Sequence, residues 1–143
     1  MSNLERLKNR IAAEGLDAVL LIDSYNRHFA TGFHSSSGAV IVTAKDAWFI
    51  TDSRYIEAAE KAAAGRYNVL MHTAEHPMNA MIKSILAQQG VARLGGESSR
   101  LNYEEYTAFE ELLGIKMIGC QAMIDELRAV KNEEELALMR KAQ

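Results

Sequence analysis

The residues whose types and spacing could do chemistry lie in two short stretches, His34-Ser35-Ser36-Ser37-Gly38 and Asp52-Ser53-Arg54-Tyr55. An imidazole in a Gly- and Ser-flanked loop can donate, accept or titrate near neutral pH, so His34 reads either as a functional group or as a solvated loop residue. Serines beside a histidine would suggest a Ser–His nucleophile. No Gly-x-Ser-x-Gly elbow accompanies Ser35, Ser36 and Ser37, so that chemistry has little support. Asp52 and Arg54 stand two apart where an apolar run gives way to a helical pattern. There the aspartate suits a helix cap and the arginine a carboxylate or main-chain carbonyls, which is architecture rather than chemistry. The aspartates Asp17, Asp23, Asp46, Asp52 and Asp125 are scattered, each at an element boundary, where they serve as caps or turns. His72 and His76 are close in sequence, but Pro77 begins a new element, so they need not share a face. No His-Glu-x-x-His or Cys-x-x-Cys spacing is present, and no metal site is read in this chain.

Both stretches must be positioned by what lies between them. Ala39-Val-Ile-Val-Thr43 and Ala47-Trp-Phe-Ile-Thr51 are apolar, β-rich runs separated by Ala44-Lys45-Asp46, the pattern of an antiparallel hairpin. The hairpin carries the His34 loop at its entry and the Asp52-x-Arg54-Tyr55 corner at its exit. Trp48 and Phe49 alternate, so one of them faces outward unless helices or a partner cover both sheet faces. Ahead of the hairpin, Ser2-x-x-Glu5 starts a helix that ends near Gly15, and Asp17–Ile22 reads as a strand covered on both faces. Ser24–Phe29 reads as a short helical turn. Beyond the hairpin the expected order is helix 54–64 capped by Ser53 or Asp52, strand 67–71, and a helix from His76-Pro77. Strand 92–95, a helix capped by Asn102-x-x-Glu105, strand 115–118 and helix 122–128 follow, then a last helix capped by Asn132-x-x-Glu135. Met78, Met81, Met117 and Met123 read as core filling. Strands alternating with helices around one hairpin give an α/β fold with a mixed sheet covered on both faces.

Composition narrows the function classes. With 143 residues, 48% apolar and 24% charged, the chain is one ordinary globular domain. A net charge of −3 with both signs interspersed argues against a nucleic-acid surface. No apolar run approaches the ~20 residues of a membrane span. The sequence enters an amphipathic helix directly after Met1-Ser2, so no signal peptide is read, and the single Cys120 fits a reducing cytoplasm.

Residue by residue, the Thr31-Gly32-Phe33 turn, the Ser/Gly loop, the apolar hairpin and the Thr51-Asp52-Ser53-Arg54-Tyr55 corner resemble the N-terminal domain of the creatinase/prolidase/aminopeptidase P family. Leu127-Arg128-Ala129-Val130-Lys131-Asn132-Glu133-Glu134-Glu135-Leu136 resembles the connector into that family's metallopeptidase domain. The resemblance implies a three-layer, ribonuclease-H-like mixed sheet of about six strands. It implies residues 1–128 as the domain and 129–143 as a connector helix leading to a catalytic domain outside this chain. It further implies a cytoplasmic Xaa-Pro dipeptidase or aminopeptidase acting on short proline-containing peptides with two divalent metal ions, manganese or cobalt, none held by this chain. The parent would be a homodimer through this domain, with the loop of one subunit at the active-site mouth of its neighbour. That makes His34 a substrate-contacting or gating residue beside Ser35, Ser36 and Ser37, and Asp52, Arg54 and Tyr55 a structural corner. A second reading is an autonomous α/β module that binds a ligand or protein without any peptidase.

Overall fold

The computed structural model describes residues 1–131 and 133–142. Six strands form one sheet: β1 (Ala18–Leu21), β2 (Ala39–Thr43), β3 (Ala47–Thr51), β4 (Asn68–Met71), β5 (Leu94–Gly96) and β6 (Met117–Gly119). The helices are α1 (Asn3–Ala13), α2 (Ser24–Thr31), α3 (Ile56–Ala63), α4 (Met78–Gln88), α5 (Tyr103–Leu113), α6 (Gln121–Ala129) and α7 (Glu133–Ala142). The strand order is β4-β3-β2-β1-β5-β6, and only β2 runs against its neighbours. This is the mixed, ribonuclease-H-like sheet expected from the resemblance.

The central strands are apolar at every position but the closing Thr43 and Thr51 because both faces are covered. Val19, Leu21, Val40, Val42 and Phe49 pack with Leu7 and Ile11 of α1, Phe29 of α2, Ala59 and Ala63 of α3, and Ile124 of α6. Ala18, Leu20, Ile41 and Ile50 face the other way, against Ile82, Ile85 and Leu86 of α4 and Leu113 of α5. Phe49 is buried in the first layer, and Trp48 packs, partly buried, against the second. Met78 and Met81 pad the second layer as expected.

The hairpin closes as its polar turn suggests: Thr43 N donates to Asp46 O at 2.9 Å, and the Thr43 hydroxyl accepts from Lys45 N and Asp46 N. The caps written in local sequence also appear. Ser2 accepts from Glu5 N, and Asn102 and Glu105 form a reciprocal box at the start of α5. Some boundaries move. α2 continues to Thr31 and ends on Gly32 in the left-handed conformation. α3 begins at Ile56 rather than 54, without a side-chain cap, because the Asp52 carboxylate is bonded to Arg54 N and closes a turn before the helix. It ends on a left-handed Ala64 instead of Gly65. β5 starts two residues late, since Asp17 Oδ2 takes the amides of Ala92 and Arg93 that would have entered the ladder. β6 likewise begins at Met117, whose amide donates to Glu110 Oε2 at 2.7 Å. The expected Asn132 cap of α7 lies outside the described residues.

Because β1, β3, β4, β5 and β6 run in one direction, their carboxyl ends share one edge of the sheet, where β2 begins. The segments that follow those strands, together with the loop that enters β2, are the part of the fold able to carry a site.

Candidate functional site

At that edge the two stretches read separately in the sequence become one unit. The loop leaves α2 through Thr31, whose hydroxyl accepts from Phe33 N at 3.1 Å. Phe33 packs at a 5.9 Å centroid distance on Phe49 and edge-on to Tyr55 at 6.1 Å. Ser35 Oγ accepts from Arg27 Nη1 at 2.5 Å and donates to Ser37 O at 2.9 Å. Ser36 meets the corner: its amide donates to Tyr55 Oη at 3.3 Å, and the two hydroxyls lie 2.9 Å apart. Ser37 Oγ donates to Asp52 Oδ2 at 3.4 Å. Asp52 in turn takes Arg54 Nη2 at 2.7 Å and Nε at 3.1 Å. The bidentate guanidinium holds the Asp52 carboxyl down at about 2, and the Arg54 guanidinium lies 5.1 Å from the Tyr55 ring centroid.

His34 is exposed, and its ring stacks on that of His28 with centroids 3.7 Å apart and planes 15° from parallel. Burial lowers the pKa of half-buried His28, the charge of His34 and that of Arg128 push the same way, and Glu135 opposes them. Two imidazoles at this separation cannot both be charged without repulsion. The stack fixes the plane of the exposed His34 ring against the half-buried ring beneath it.

Sequence reasoning missed a second group at the same edge. The chain reverses its winding direction between β1 and β5, the place where open α/β sheets take their ligands. Here the protein fills that place itself. The fully buried Glu97 follows β5 directly, and its carboxylate accepts from Ile22 N at 2.6 Å, Asp23 N at 3.0 Å and Asn26 Nδ2 at 2.8 Å. Asn26 also donates to Gln121 Oε1 at 2.8 Å, and Gln121 donates to Asp125 at 2.8 Å. Arg128 closes the chain on Asn26 Oδ1 at 3.4 Å. Burial raises the Glu97 pKa, while the amide donors pull against it. The signal was faint: a glutamate after Gly95-Gly96 at the end of an apolar strand, and an Asn-Arg pair in what read as a helical turn. Buried Cys120, pushed up to about 12 by burial, is no nucleophile.

Among the described residues no group of three or more His, Cys, Asp and Glu side chains is placed to hold a metal ion. His72 follows β4, donating its amide to Thr51 O, while His76 sits across a short turn closed by Thr73 N and His76 O at 3.0 Å. No helix among the described residues is long and apolar enough to cross a membrane.

The comparisons agree with this architecture. The model of the creatinase/prolidase N-terminal domain matches residues 3–130. The uncharacterized peptidase YqhT of Bacillus subtilis is 26% identical over 140 residues, which cover 97% of this chain but 39% of that protein. A putative Xaa-Pro aminopeptidase of Mycoplasma genitalium is 27% identical over 141 residues and is covered to 36%. The chain thus spans well under half the length of the curated relatives it matches. Among solved structures, a Xaa-Pro dipeptidase from Bacillus anthracis superposes with a TM-score of 0.85 at 29% identity, over 97% of this chain and 38% of the other. The N-terminal domain of the cytoplasmic peptidase PepQ from Mycobacterium tuberculosis gives 0.74 at 29% identity, over 87% and 97%. A match to the family's model over residues 3–130, nearly the whole chain, means that the chain belongs to the creatinase/prolidase N-terminal domain family.

Proposed function

We propose that this chain is the non-catalytic N-terminal domain of a cytoplasmic Xaa-Pro dipeptidase or aminopeptidase, residues 1–128 forming the domain and 129–143 the connector into a catalytic domain. On this reading the two divalent ions, manganese or cobalt, belong to the catalytic part, where they would activate a hydroxide on the peptide bond before proline. The present domain supplies the wall. It pairs two subunits and narrows the neighbour's cleft to short peptides. The observation that carries this reading is an exposed imidazole on a loop tied to α2 on one side and to the β3–α3 corner on the other. A loop built to move would not be fastened so; a loop built to present His34 at a fixed place would.

In the enzyme that carries this domain, His34→Ala is expected to lower kcat/KM roughly 10- to 150-fold, the loss of one polar contact of ~1.5–3 kcal/mol. Metal content and oligomeric state should stay as in the wild type. Kinetics within twofold for dipeptide and longer Xaa-Pro substrates would leave His34 a solvated loop residue.

The connector makes its own prediction. Leu138 and Met139 on α7 are 65% and 53% exposed, an apolar surface without cover in this chain. Short helices without tertiary support are marginal in water. Amides of 136–142 should therefore exchange at least ~100-fold faster than those of β1 in the isolated 143-residue chain. Equal protection would mean that α7 docks on this domain or on a second copy, and the connector reading would fall.

A further inference from the structure

Arg27 is 3% exposed, and among the described residues it makes no direct ion pair. A buried guanidinium without partners is costly, so its hydrogen bonds must be specific. Nε donates to Ile22 O at 2.9 Å, and Nη1 to Ser35 Oγ and to Ser35 O at 3.3 Å. The amides of Ile22 and Asp23 are bonded to Glu97. The β1–α2 junction is therefore held between a buried carboxylate on its N–H side and a buried guanidinium on its carbonyl side. From there the guanidinium reaches on to the loop. Its charge is kept in spite of burial, which pushes the pKa down, by the facing charges of Glu97 and Asp23.

We propose that Arg27 is the positioning residue of the His34–Gly38 loop, a buried clamp that transmits the fixed geometry of the Glu97 network to the segment carrying the exposed imidazole. Only a planar fork does this. One edge bonds the junction carbonyl while another nitrogen takes Ser35, whereas a lysine ammonium at the same depth would reach one acceptor or the other. The adjacent residue, His28, lies under His34, so two consecutive positions of α2 fix two consecutive positions of the loop. The inference rests on the proposed role of the loop for its consequence in catalysis, but its structural half can be measured without any substrate.

The test uses Arg27→Lys, Arg27→Met and Ser35→Ala. In the 143-residue chain, amide order parameters of Ser35–Ser37 should fall from about 0.85 to below about 0.6, while those of Val19–Leu21 stay rigid. Unchanged loop order in Arg27→Lys and Ser35→Ala overturns the clamp; if the arginine variants do not fold, Ser35→Ala decides alone. In the enzyme carrying this domain, Arg27→Lys should lower kcat/KM about tenfold, mainly through KM, and should cost nothing further on a His34→Ala background. Independent losses in that cycle would show that Arg27 acts on stability alone and overturn the positioning role. A loosened loop with unchanged kinetics would keep the clamp and sink the proposed function of the loop instead.

Discussion

Glu97→Ala is expected to destabilise the chain by about 3–5 kcal/mol, a large share of what a domain of this size has. The substitution leaves the Ile22 and Asp23 amides and Asn26 Nδ2 facing a void in a place that water does not reach. Each unsatisfied buried donor costs about 1–3 kcal/mol, and the losses overlap because the three donors share one site. Arg27 also loses its strongest facing charge, so a second buried group becomes costly. Glu97→Gln separates the contributions. The amide oxygen can still accept two bonds, but its NH2 group must face the Asn26 NH2 group, and the charge is gone. A loss of about 1–3 kcal/mol is expected there. Urea midpoints with unchanged slope measure both. A loss below ~1 kcal/mol for Glu97→Ala would mean that the network relaxes or takes up water, and its role in fixing the β1–α2 junction would fall with it.

The same network shows where sequence legibility stops. Ser2 and Asn102 could be read as caps because each bonds three residues away. The hairpin could be read because both runs are apolar up to a closing threonine and flank a short polar turn. Asn26 and Glu97 are 71 residues apart, and Asn26 and Gln121 are 95 apart. Nothing in a window of ten or fifteen residues distinguishes such side chains from ordinary surface polar groups, since only the tertiary fold makes them partners. The His34 loop and the Asp52 corner were both visible as chemistry, but as two features. Their union through Ser36–Tyr55 and Ser37–Asp52 is a product of the hairpin register, which sets Ala39 opposite Ile50 and so brings entry and exit together. The β5 and β6 boundaries slipped for a related reason: Asp17 and Glu110 side chains compete for the amides with which a regular ladder would have begun.

Gly38→Ala is expected to cost about 2–5 kcal/mol, the sum of a backbone conformation that side chains avoid and an overpacked contact. Gly38 joins the loop to β2 at φ +139°, and a Cβ there would lie 2.8 Å from Ile50 O and 2.9 Å from a ring carbon of Phe49. Neither neighbour can give way cheaply. Ile50 belongs to the β2–β3 ladder, paired with Ala39, and Phe49 is 1% exposed in the core. Gly32 provides the control at the other end of the loop. It too has a positive φ, +73°, but a Cβ on it would meet nothing within 4 Å. Gly32→Ala should therefore show only the left-handed penalty, about 1–2 kcal/mol. Denaturant unfolding of the two variants side by side isolates the close approach as their difference. Equal losses would mean that the hairpin entry can back away from β3 at no cost. The loop would then be seated less firmly than its bonds to Arg27, Tyr55 and Asp52 imply. A clear excess for Gly38 would place the rigidity of the loop in the sheet itself, with the polar contacts selecting which way the imidazole faces.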